Sequence, residues 1–354
     1  MAFLLFCGKQ FGGMERRYSR LVGFLHGAGE DVVLLCTRDA LEGVKNLGVN
    51  LPACRVELVD FSWGSDRRGL LKKLNRFFGL LRFFYLASTR RYKQIHIIAN
   101  PGWFVLLYSV PRRFLPQFSF SVVNSTLSFD PGIVRRVVRG ACSVDCLSET
   151  IGAYVRAQCK DASDMAKVFV SPCSFTDFSR VRLGVERDID ILMMARFVPG
   201  KGYDLFENAM PNIRRGLKIH LCGFGPHPPK IRDAEIYESE DPFGIFSRTK
   251  IFLSLQEAEN YPSQSLLEAM ASGCAVIATD VGETRRLLDD SCSILIDSRP
   301  ECLAKAVESL MNDPVRCRSL GLAARKRVLE NHTLERFAEY FRADILGLHH
   351  GSSD

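Results

Sequence analysis

The sequence predicts an α/β protein that contains two doubly wound parallel sheets. Short apolar runs bounded by Gly, Pro or Asn alternate with helix-length segments along the chain, which is the pattern of βαβ units. Ten such runs are strand candidates, more than one doubly wound sheet usually holds. The 354 residues are also about twice the length of a typical domain, so two domains are expected.

The predicted strands run in order from the first residues to the last quarter of the chain. They cover residues 2–7, 31–36, 94–98, 118–123, 166–170, 189–195, 219–222, 251–255, 274–279 and 293–296. A polar stretch at residues 177–187 separates the first five strands from the last five and is predicted to link the domains. A last helical pattern, at residues 334–346, lies beyond the final strand.

Composition places the chain among ordinary globular proteins, with 47% hydrophobic and 25% charged residues. It contains no run of 18 apolar residues, so no membrane-spanning helix is expected. The opening M-A-F-L-L-F-C-G is too short for a signal peptide and lacks a basic lead-in, so it is expected to be a buried strand. The 12 cysteines include no C-x-x-C pair and are expected to be reduced thiols of a cytoplasmic protein.

Basic charge is concentrated in the first half of the chain. Residues 1–170 contain 24 Lys and Arg against 13 Asp and Glu, whereas the remaining residues contain 23 against 27. Such an asymmetry indicates a nucleic acid, an acidic membrane surface or an anionic acceptor as a partner of the first half.

The segment 66–93 is both basic and amphipathic, with nine basic residues and one acid. One set of apolar residues recurs at helical spacings of four and three: Leu70, Leu74, Phe77, Leu81 and Phe84. This pattern is typical of a helix that lies on a membrane surface, and it fits a core-facing helix with solvated charges as well. Both interpretations stay open, although further apolar residues on the other side of the helix favour a membrane or a partner.

The segment E-N-Y-P-S-Q-S-L-L-E-A-M at residues 259–270 is predicted to enter a helix at Pro262, and Gly273 can end that helix. Glu268 would lie among apolar side chains, and a buried carboxylate is costly unless it finds donors. Two ribose hydroxyls are such donors, and the free N–H groups of a helix start suit a diphosphate. Glu259 precedes the helix, where it can receive sugar hydroxyls. The alternative is a Glu268–Arg salt bridge with an exposed Glu259.

The segment R-F-V-P-G-K-G follows the predicted strand at residues 189–195. Ligands of open α/β sheets bind beyond the carboxyl ends of strands, so Arg196 and Lys201 are candidates to hold a diphosphate. Positive charge there stabilises a leaving nucleoside diphosphate without a metal. An ordinary surface turn is the alternative.

Two glycine segments also follow predicted strands. Gly223 and Gly225 lie in G-F-G-P, and Gly12 and Gly13 precede a predicted helix. Missing side chains let a ligand approach the backbone, and amides at a helix start can meet a phosphate. A plain turn is an equally good interpretation of each segment alone.

Other chemistries find little support in the sequence. Asp188 and Asp190 spell D-x-D, but they open a predicted strand, at the end opposite the expected site, so a metal role is disfavoured. No other acidic or histidine group has metal-ligand spacing, and no cofactor is expected. Among the histidines only His96, near a strand end, can face a cleft, and a structural role is favoured there. No Ser/His/Asp set is recognisable.

The order of these motifs along the chain resembles that of glycosyltransferase family 4. The most specific part of the resemblance ends with the segment E-N-Y-P-S-Q-S-L-L-E-A-M-A-S-G-C-A-V-I-A-T-D-V-G at residues 259–282. The segments C-L-S-E-T at 146–150 and S-P-C-S-F-T-D at 171–177 resemble the same family. The resemblance implies a GT-B fold, in which two Rossmann-like domains face a cleft and the last helix crosses back to the first domain. It implies an acceptor domain at 1–180, a nucleotide-sugar domain at 181–333 and a returning helix at 334–354. It also implies retention of anomeric configuration without a catalytic metal.

The resemblance assigns roles by position. Arg196 and Lys201 would hold the diphosphate, Glu268 the ribose and Glu259 the transferred sugar, so Arg196, Lys201 and Glu259 are the implied catalytic residues. The implied donor-binding residues are Gly12, Gly13, Gly223, Gly225, Asn260, Tyr261, Pro262, Ser263 and Glu268.

Two departures from the family pattern affect these roles. Eight residues, not seven, lie between the two glutamates, so Asn260 occupies the usual spacing and is a candidate to share the role of Glu259. The family often has a histidine after the strand that ends near residue 123, where this chain has N-S-T. Asn124, Ser125 and His96 are therefore the acceptor-side candidates.

The sequence thus predicts a cytoplasmic, metal-independent, retaining hexosyltransferase. It would pass a sugar from a UDP- or GDP-sugar to a glycan or lipid-linked acceptor in cell-surface polysaccharide synthesis. An anionic membrane surface is a possible partner through residues 66–93. A nucleic-acid partner is not expected, because aromatic-basic binding motifs are missing. The alternatives are a GT-B nucleotide-sugar epimerase or hydrolase and a non-catalytic basic binding protein.

Overall fold

A computed structural model of the chain describes residues 1–5, 13–46, 54–60, 70–98, 116–123, 130–231, 233–239, 241–259, 261 and 263–348. The chain divides into two compact units, residues 1–172 with 334–354 and residues 173–333. The first unit ends eight residues before the expected boundary at 180. The reason is that the next segment packs on the second unit, where Phe178 and Val181 lie against its core and Arg182 pairs with Asp241 at 2.8 Å.

The first unit is a parallel sheet with helices. Its strands are β1 (Ala2–Leu5), β2 (Val33–Cys36), β3 (Arg55–Leu58), β4 (Gln94–Ile98), β5 (Gln117–Val122), β6 (Ser143–Cys146) and β7 (Val168–Val170). The helices before residue 172 are α1 (Gly13–Gly27), α2 (Arg38–Asn46), α3 (Leu70–Thr89), α4 (Pro131–Gly140), α5 (Glu149–Ala157) and α6 (Ala162–Met165). The strand order is β3-β2-β1-β4-β5-β6-β7, so strands are added first to one side of β1 and then to the other.

The second unit repeats this plan. Its strands are β8 (Ile189–Met194), β9 (Ile219–Cys222), β10 (Ala234–Tyr237), β11 (Thr249–Ser254), β12 (Ala275–Thr279) and β13 (Ile294–Ile296), in the order β10-β9-β8-β11-β12-β13. Its helices are α7 (Tyr203–Ala209), α8 (Pro242–Arg248), α9 (Gln264–Ala271), α10 (Pro300–Asn312) and α11 (Pro314–Asn331). The direction of strand addition reverses between β8 and β11, which pair in parallel with Ile191 opposite Ile251.

The prediction of two doubly wound α/β sheets is confirmed. Each of the ten predicted strands is present, and its described ends lie within two residues of the prediction. Three strands were not predicted, namely β3, β6 and β10. They read R-V-E-L, S-V-D-C and A-E-I-Y, so polar residues interrupt the apolar run that the prediction relied on.

The polar residues of β6 belong to a buried network that fixes the C-terminal segment. That segment consists of α12 (Leu334–Tyr340) and a π-helical turn, Phe341–Ile345. Asp145 of β6 is fully buried and accepts hydrogen bonds from the hydroxyls of Tyr340 at 2.8 Å, Tyr18 at 2.9 Å and Ser171 at 2.7 Å. Burial, together with the charge of Asp145, raises the pKa of Tyr18 and of Tyr340. One carboxylate therefore joins α1, the sheet and α12.

Helix α3 presents an apolar face away from the core of its unit. Leu80 and Phe83 lie in that core, whereas Phe77 and Leu81 of the predicted stripe are 53% and 48% exposed. The neighbouring Phe78 and Tyr85 are 39% and 65% exposed. Phe84 of the same stripe packs against the core, so the described part of the stripe is partly core-facing and partly exposed. In the described part of the chain, none of the helices is both long and apolar enough to cross a bilayer.

Candidate functional site

The candidate site lies at the carboxyl ends of β8, β11 and β12, which are neighbours in the second sheet. Three loops leave these ends, with described residues 195–202, 255–259 and 280–283. The strand order reverses between β8 and β11, and such a switch point opens the crevice in which open α/β sheets bind their ligands.

Two cations occupy the first of these loops. Arg196 is exposed, and Lys201 is half-buried with its Nζ donating to Oε1 of Gln256 at 2.6 Å. Burial, and secondarily the charge of Arg196, lowers the pKa of Lys201. Positive charge is therefore concentrated at a partly dehydrated point, and an anion bound there relieves the cost of that charge.

The first two loops are joined through their backbones as well. The N–H of Glu257 donates to the carbonyl of Gly200 at 3.2 Å. Gly202 has a φ of +81°, and a Cβ there would collide with the carbonyl of Leu255. Glycine at position 202 is therefore required by the close approach of the loop after β11.

The segment G-F-G-P is also shaped by close chain packing. A Cβ on Gly223 would collide with the carbonyl of Ala195, and a Cβ on Gly225, whose φ is +151°, with the carbonyl of Phe197. An open cavity of about 410 Å³ is lined by residues 198–202 of the first loop and residues 226–230 after G-F-G. These packing contacts account for both glycines, and their contact with a ligand stays a prediction.

Glu268 is buried in the middle of α9, with 1% of its surface exposed. The helix begins at Gln264 behind an N-cap formed by Ser263, whose Oγ accepts the N–H of Leu266 at 3.4 Å. The amide of Gln264 donates to Oε1 of Glu268 at 3.3 Å and to the carbonyl of Phe175 at 3.4 Å. Glu268 thus lies buried in an apolar helix, and the amide of Gln264 is one of its hydrogen-bond partners.

Glu259 connects the second and third loops. Its Oε1 accepts the backbone N–H groups of Tyr261 at 3.1 Å and of Glu283 at 3.0 Å. The guanidinium of Arg286 lies 4.5 Å over the ring of Tyr261 and pairs with the carboxylate of Glu283 at 2.9 Å. Glu259 is thus held in place by the ends of two neighbouring strands, not loosely exposed on a loop.

The structure separates the remaining candidates. Gly13 is the first residue of α1. His96 is fully buried on β4, its ring nitrogens 2.8 Å from Oγ of Ser119 and 2.9 Å from Oγ of Ser121. Burial lowers the pKa of His96 to about 3, and this environment favours the structural role. Gly12, Asn124, Ser125, Asn260 and Pro262 lie outside the described residues.

The D-x-D carboxylates, Asp188 and Asp190, lie at the amino-terminal end of the central strand β8, whereas the candidate site lies at its carboxyl end. Asp188 pairs with Arg248, and Asp190 pairs with Lys250 at 2.7 Å and accepts the N–H of Lys218 at 2.9 Å. Both carboxylates are structural ion-pair partners. Within the described ranges no group of three or more His, Cys, Asp or Glu side chains is placed to hold a metal.

Sequence reasoning missed Gln256, Gly282, Glu283 and Arg286. These residues follow β11 and β12, whose place beside each other and beside β8 in the order β8-β11-β12 is known only from the folded sheet. Their positions directly after apolar strands were the available signal, since strand ends are where sites form in such sheets.

Comparison with known proteins finds a family-model match that begins in the second unit and extends into the C-terminal segment. Residues 204–343 match a family model described as Glycosyl transferase-like. The chain is 37% identical over 186 residues to alpha-maltose-1-phosphate synthase of Mycolicibacterium smegmatis, a match that covers 44% of this chain and 48% of that protein. The chain therefore spans about half the length of this curated relative.

Solved structures match nearly the whole chain. Anabaena HepE in complex with UDP-glucose has a TM-score of 0.77 at 13% identity, covering 98% of this chain and 100% of that one. HepE with UDP and glucose gives 0.76 at 14% identity, covering 98% of each chain. Sucrose-phosphate synthase from Thermosynechococcus elongatus gives 0.73 at 19% identity, again covering 98% of each. At these identities the likeness shows the fold, and the chain accordingly has the GT-B fold of glycosyltransferases, with a glycosyl transferase-like region at residues 204–343.

Proposed function

We propose that this protein is a glycosyltransferase that binds a nucleotide sugar on its second unit and passes the sugar to a glycan or lipid-linked acceptor. The observation that carries the proposal is that a buried carboxylate, Glu268 of α9, and two cations, Arg196 and Lys201, follow the two strands β11 and β8, between which the order of the sheet reverses. A carboxylate recognises vicinal hydroxyls and cations recognise a diphosphate, so together they match a nucleoside diphosphate.

The donor is a UDP-sugar in this proposal, with a GDP-sugar as the alternative. HepE, which has the same fold, has been crystallised with UDP and with UDP-glucose. That likeness supports a uridine nucleotide without naming the sugar.

The chemistry requires stabilisation of the leaving group. The acceptor oxygen bonds to the anomeric carbon as the bond from that carbon to the diphosphate breaks. The electron pair leaves with the diphosphate, whose departing oxygen takes the proton of the acceptor hydroxyl. Arg196 and Lys201 stabilise the charge that develops, which is the largest electrostatic demand of the step. Charge supplied by side chains makes a metal unnecessary in this proposal, and retention of configuration follows from the resemblance in sequence.

The proposal also includes binding of the protein to a membrane surface that carries its acceptor. Helix α3 exposes Phe77, Leu81 and Tyr85, and Arg82 is exposed beside them. Apolar side chains flanked by basic ones suit the headgroup region of an anionic bilayer, where a lipid-linked acceptor is found. We place the enzyme at the cytoplasmic face of a membrane, in cell-surface glycan synthesis.

A thermal-shift panel tests the donor site. UDP, GDP, ADP and their glucose conjugates are added to the wild type, to Glu268→Ala and to the near-isosteric control Glu268→Gln. One nucleotide series is expected to raise the melting temperature by several degrees in the wild type, because a ligand that binds only the folded state stabilises it. Glu268→Ala should lose this effect and Glu268→Gln should keep part of it. Stabilisation by none of the compounds would remove the proposal.

A further inference from the structure

We infer that Gly282 is a positioning residue that sets the orientation of the Glu259 carboxylate in the donor site. The inference rests on the proposed glycosyl transfer for its kinetic consequence and on the contacts of the third loop for its geometry. It concerns the loop after β12, whose contribution to the site the sequence did not reveal.

The carboxylate of Glu259 lies directly against the α-carbon of Gly282. A Cβ built on Gly282 would be 2.7 Å from Cδ and from both carboxylate oxygens of Glu259, closer than any real side chain permits. The φ of Gly282 is +52°, in the left-handed region that favours glycine. Two independent features therefore favour glycine at position 282. The first is the left-handed backbone conformation, and the second is the Glu259 carboxylate, which occupies the space where a Cβ would be.

Neighbouring contacts fix the backbone of this loop. The carboxylate of Glu283 pairs with Arg286, whose guanidinium lies over Tyr261, and the N–H groups of Tyr261 and Glu283 both donate to Glu259. At the start of the loop, Thr279, the last residue of β12, donates a hydrogen bond from its Oγ1 to the carbonyl of Gln256 at 2.5 Å. The loop thus has a defined position relative to Glu259.

The atoms that a methyl group at position 282 would meet are the far end of a flexible side chain. The carboxylate will therefore swing away before the backbone moves, and it will lose the two N–H donors that orient it. The fold is retained, and the group that the resemblance places against the transferred sugar is displaced. UDP carries no sugar, so its binding should not sense this displacement, whereas sugar transfer should.

The test compares Gly282→Ala, Glu259→Ala, the double variant and the control Gly216→Ala. Gly216 has a φ of +81° with nothing within 4 Å of an added Cβ, so it reproduces the backbone strain without the collision. Transfer from the preferred nucleotide sugar should fall about 10- to 100-fold in Gly282→Ala, as expected for a misplaced binding group. UDP affinity should change less than about twofold, because a displaced sugar-binding group leaves the nucleotide contacts intact.

The double variant shows whether Gly282 acts through Glu259. If it does, adding Gly282→Ala to Glu259→Ala causes no further loss, since coupled residues are not additive. A further loss equal to that of the single Gly282→Ala variant would overturn the inference, and so would wild-type transfer by Gly282→Ala.

A measurement without donor separates the geometry from the proposed function. Amide hydrogen exchange at Glu283 should accelerate equally in Gly282→Ala and Glu259→Ala and stay unchanged in Gly216→Ala, because both variants remove the acceptor of that N–H. Unchanged exchange in Gly282→Ala refutes the positioning role. Accelerated exchange in a protein that binds no nucleotide would instead leave the positioning role intact and refute the proposed glycosyl transfer.

Discussion

At the scale of single residues, the burial and the neighbours of Lys201 and Glu268 determine how strongly each charged group should favour a ligand of complementary chemistry. Lys201 lies half-buried beside Arg196, and its pKa is lowered for that reason. Glu268 lies among apolar side chains with the amide of Gln264 as a partner. A diphosphate and a pair of hydroxyls would improve the environment of both groups, so ligand binding and the protonation of Lys201 are linked.

The pH dependence of UDP binding should report this linkage. Because the pKa of Lys201 is lowered, its charge is lost as the pH rises toward, and before it reaches, the ordinary lysine value of about 10.4. UDP affinity should therefore decline over this alkaline range in the wild type. Lys201→Arg should decline less, since arginine stays charged. Lys201→Met should bind UDP about 10- to 100-fold more weakly near neutral pH, because it lacks a charge-assisted hydrogen bond.

Calorimetric titrations of UDP between neutral and alkaline pH provide the measurement. Lys201→Arg serves as the matched control, because any titration of the nucleotide itself affects both proteins equally. Identical pH profiles for the wild type and Lys201→Arg would show that Lys201 does not contact the diphosphate.

The sequence could predict that Glu268 is buried in a helix, because an acid inside an apolar helical pattern is visible in a single segment. It could not predict the roles of Gln256 and Gly282, because their partners come from strands that meet only in the folded sheet. It also could not distinguish a glycine that admits a ligand from one that admits a neighbouring carbonyl, as at Gly223.

At the scale of elements, helix α3 exposes large apolar side chains that its own unit does not bury. Leu80 and Phe83 anchor it to the core, and Phe77, Leu81 and Tyr85 project outward. Helical spacing predicted an apolar face but could not say which face the core would use, because both sides of this helix carry aromatic residues. Only the position of the sheet decides that.

Removal of the exposed apolar residues of α3 should weaken binding to anionic vesicles. The double variant Phe77→Ser/Leu81→Ser loses two side chains that are each worth about 1.5–3 kcal/mol when fully buried, so a decrease in partitioning of at least about tenfold is expected. Leu322→Ser is the matched control, because Leu322 is 61% exposed on α11 in the second unit.

Sedimentation with vesicles that contain phosphatidylserine or phosphatidylglycerol measures this partitioning. Binding should weaken at high salt, because the basic residues contribute through screened electrostatics. The membrane hypothesis fails if the wild type does not sediment with these vesicles at low salt, or if the double variant sediments as the wild type does.

At the scale of the whole molecule, two doubly wound units share one chain, and the C-terminal segment belongs to the first. The alternation of strands and helices was sufficient to predict the two doubly wound sheets, whereas the return of the C-terminal segment to the first unit was implied only by the resemblance to glycosyltransferase family 4. The boundary near residue 172 was not predictable, because the polar segment that follows it looks like a linker in sequence and packs on the second core in the structure.

Loss of the Tyr340 hydroxyl should lower the stability of the fold without changing donor binding. Tyr340→Phe removes a donor to the buried Asp145 and should lower the free energy of unfolding by about 1–3 kcal/mol. The affinity for UDP should stay unchanged, because Tyr340 belongs to the first unit, whereas Arg196, Lys201 and Glu268 all belong to the second. Urea unfolding and UDP titration of the same variant measure the two effects, and a parallel loss of UDP affinity would contradict this division of roles.

The central claim is that the protein transfers a sugar from a nucleotide donor. The most direct test follows the anomeric proton of the nucleotide sugar that stabilises the protein best, by NMR, with a membrane lipid extract as acceptor. We expect release of the nucleoside diphosphate together with a new glycoside of the same anomeric configuration, and loss of both in Glu268→Ala. Binding of the donor without any such conversion, or conversion to an epimer or a free sugar alone, would contradict the assignment as a glycosyltransferase.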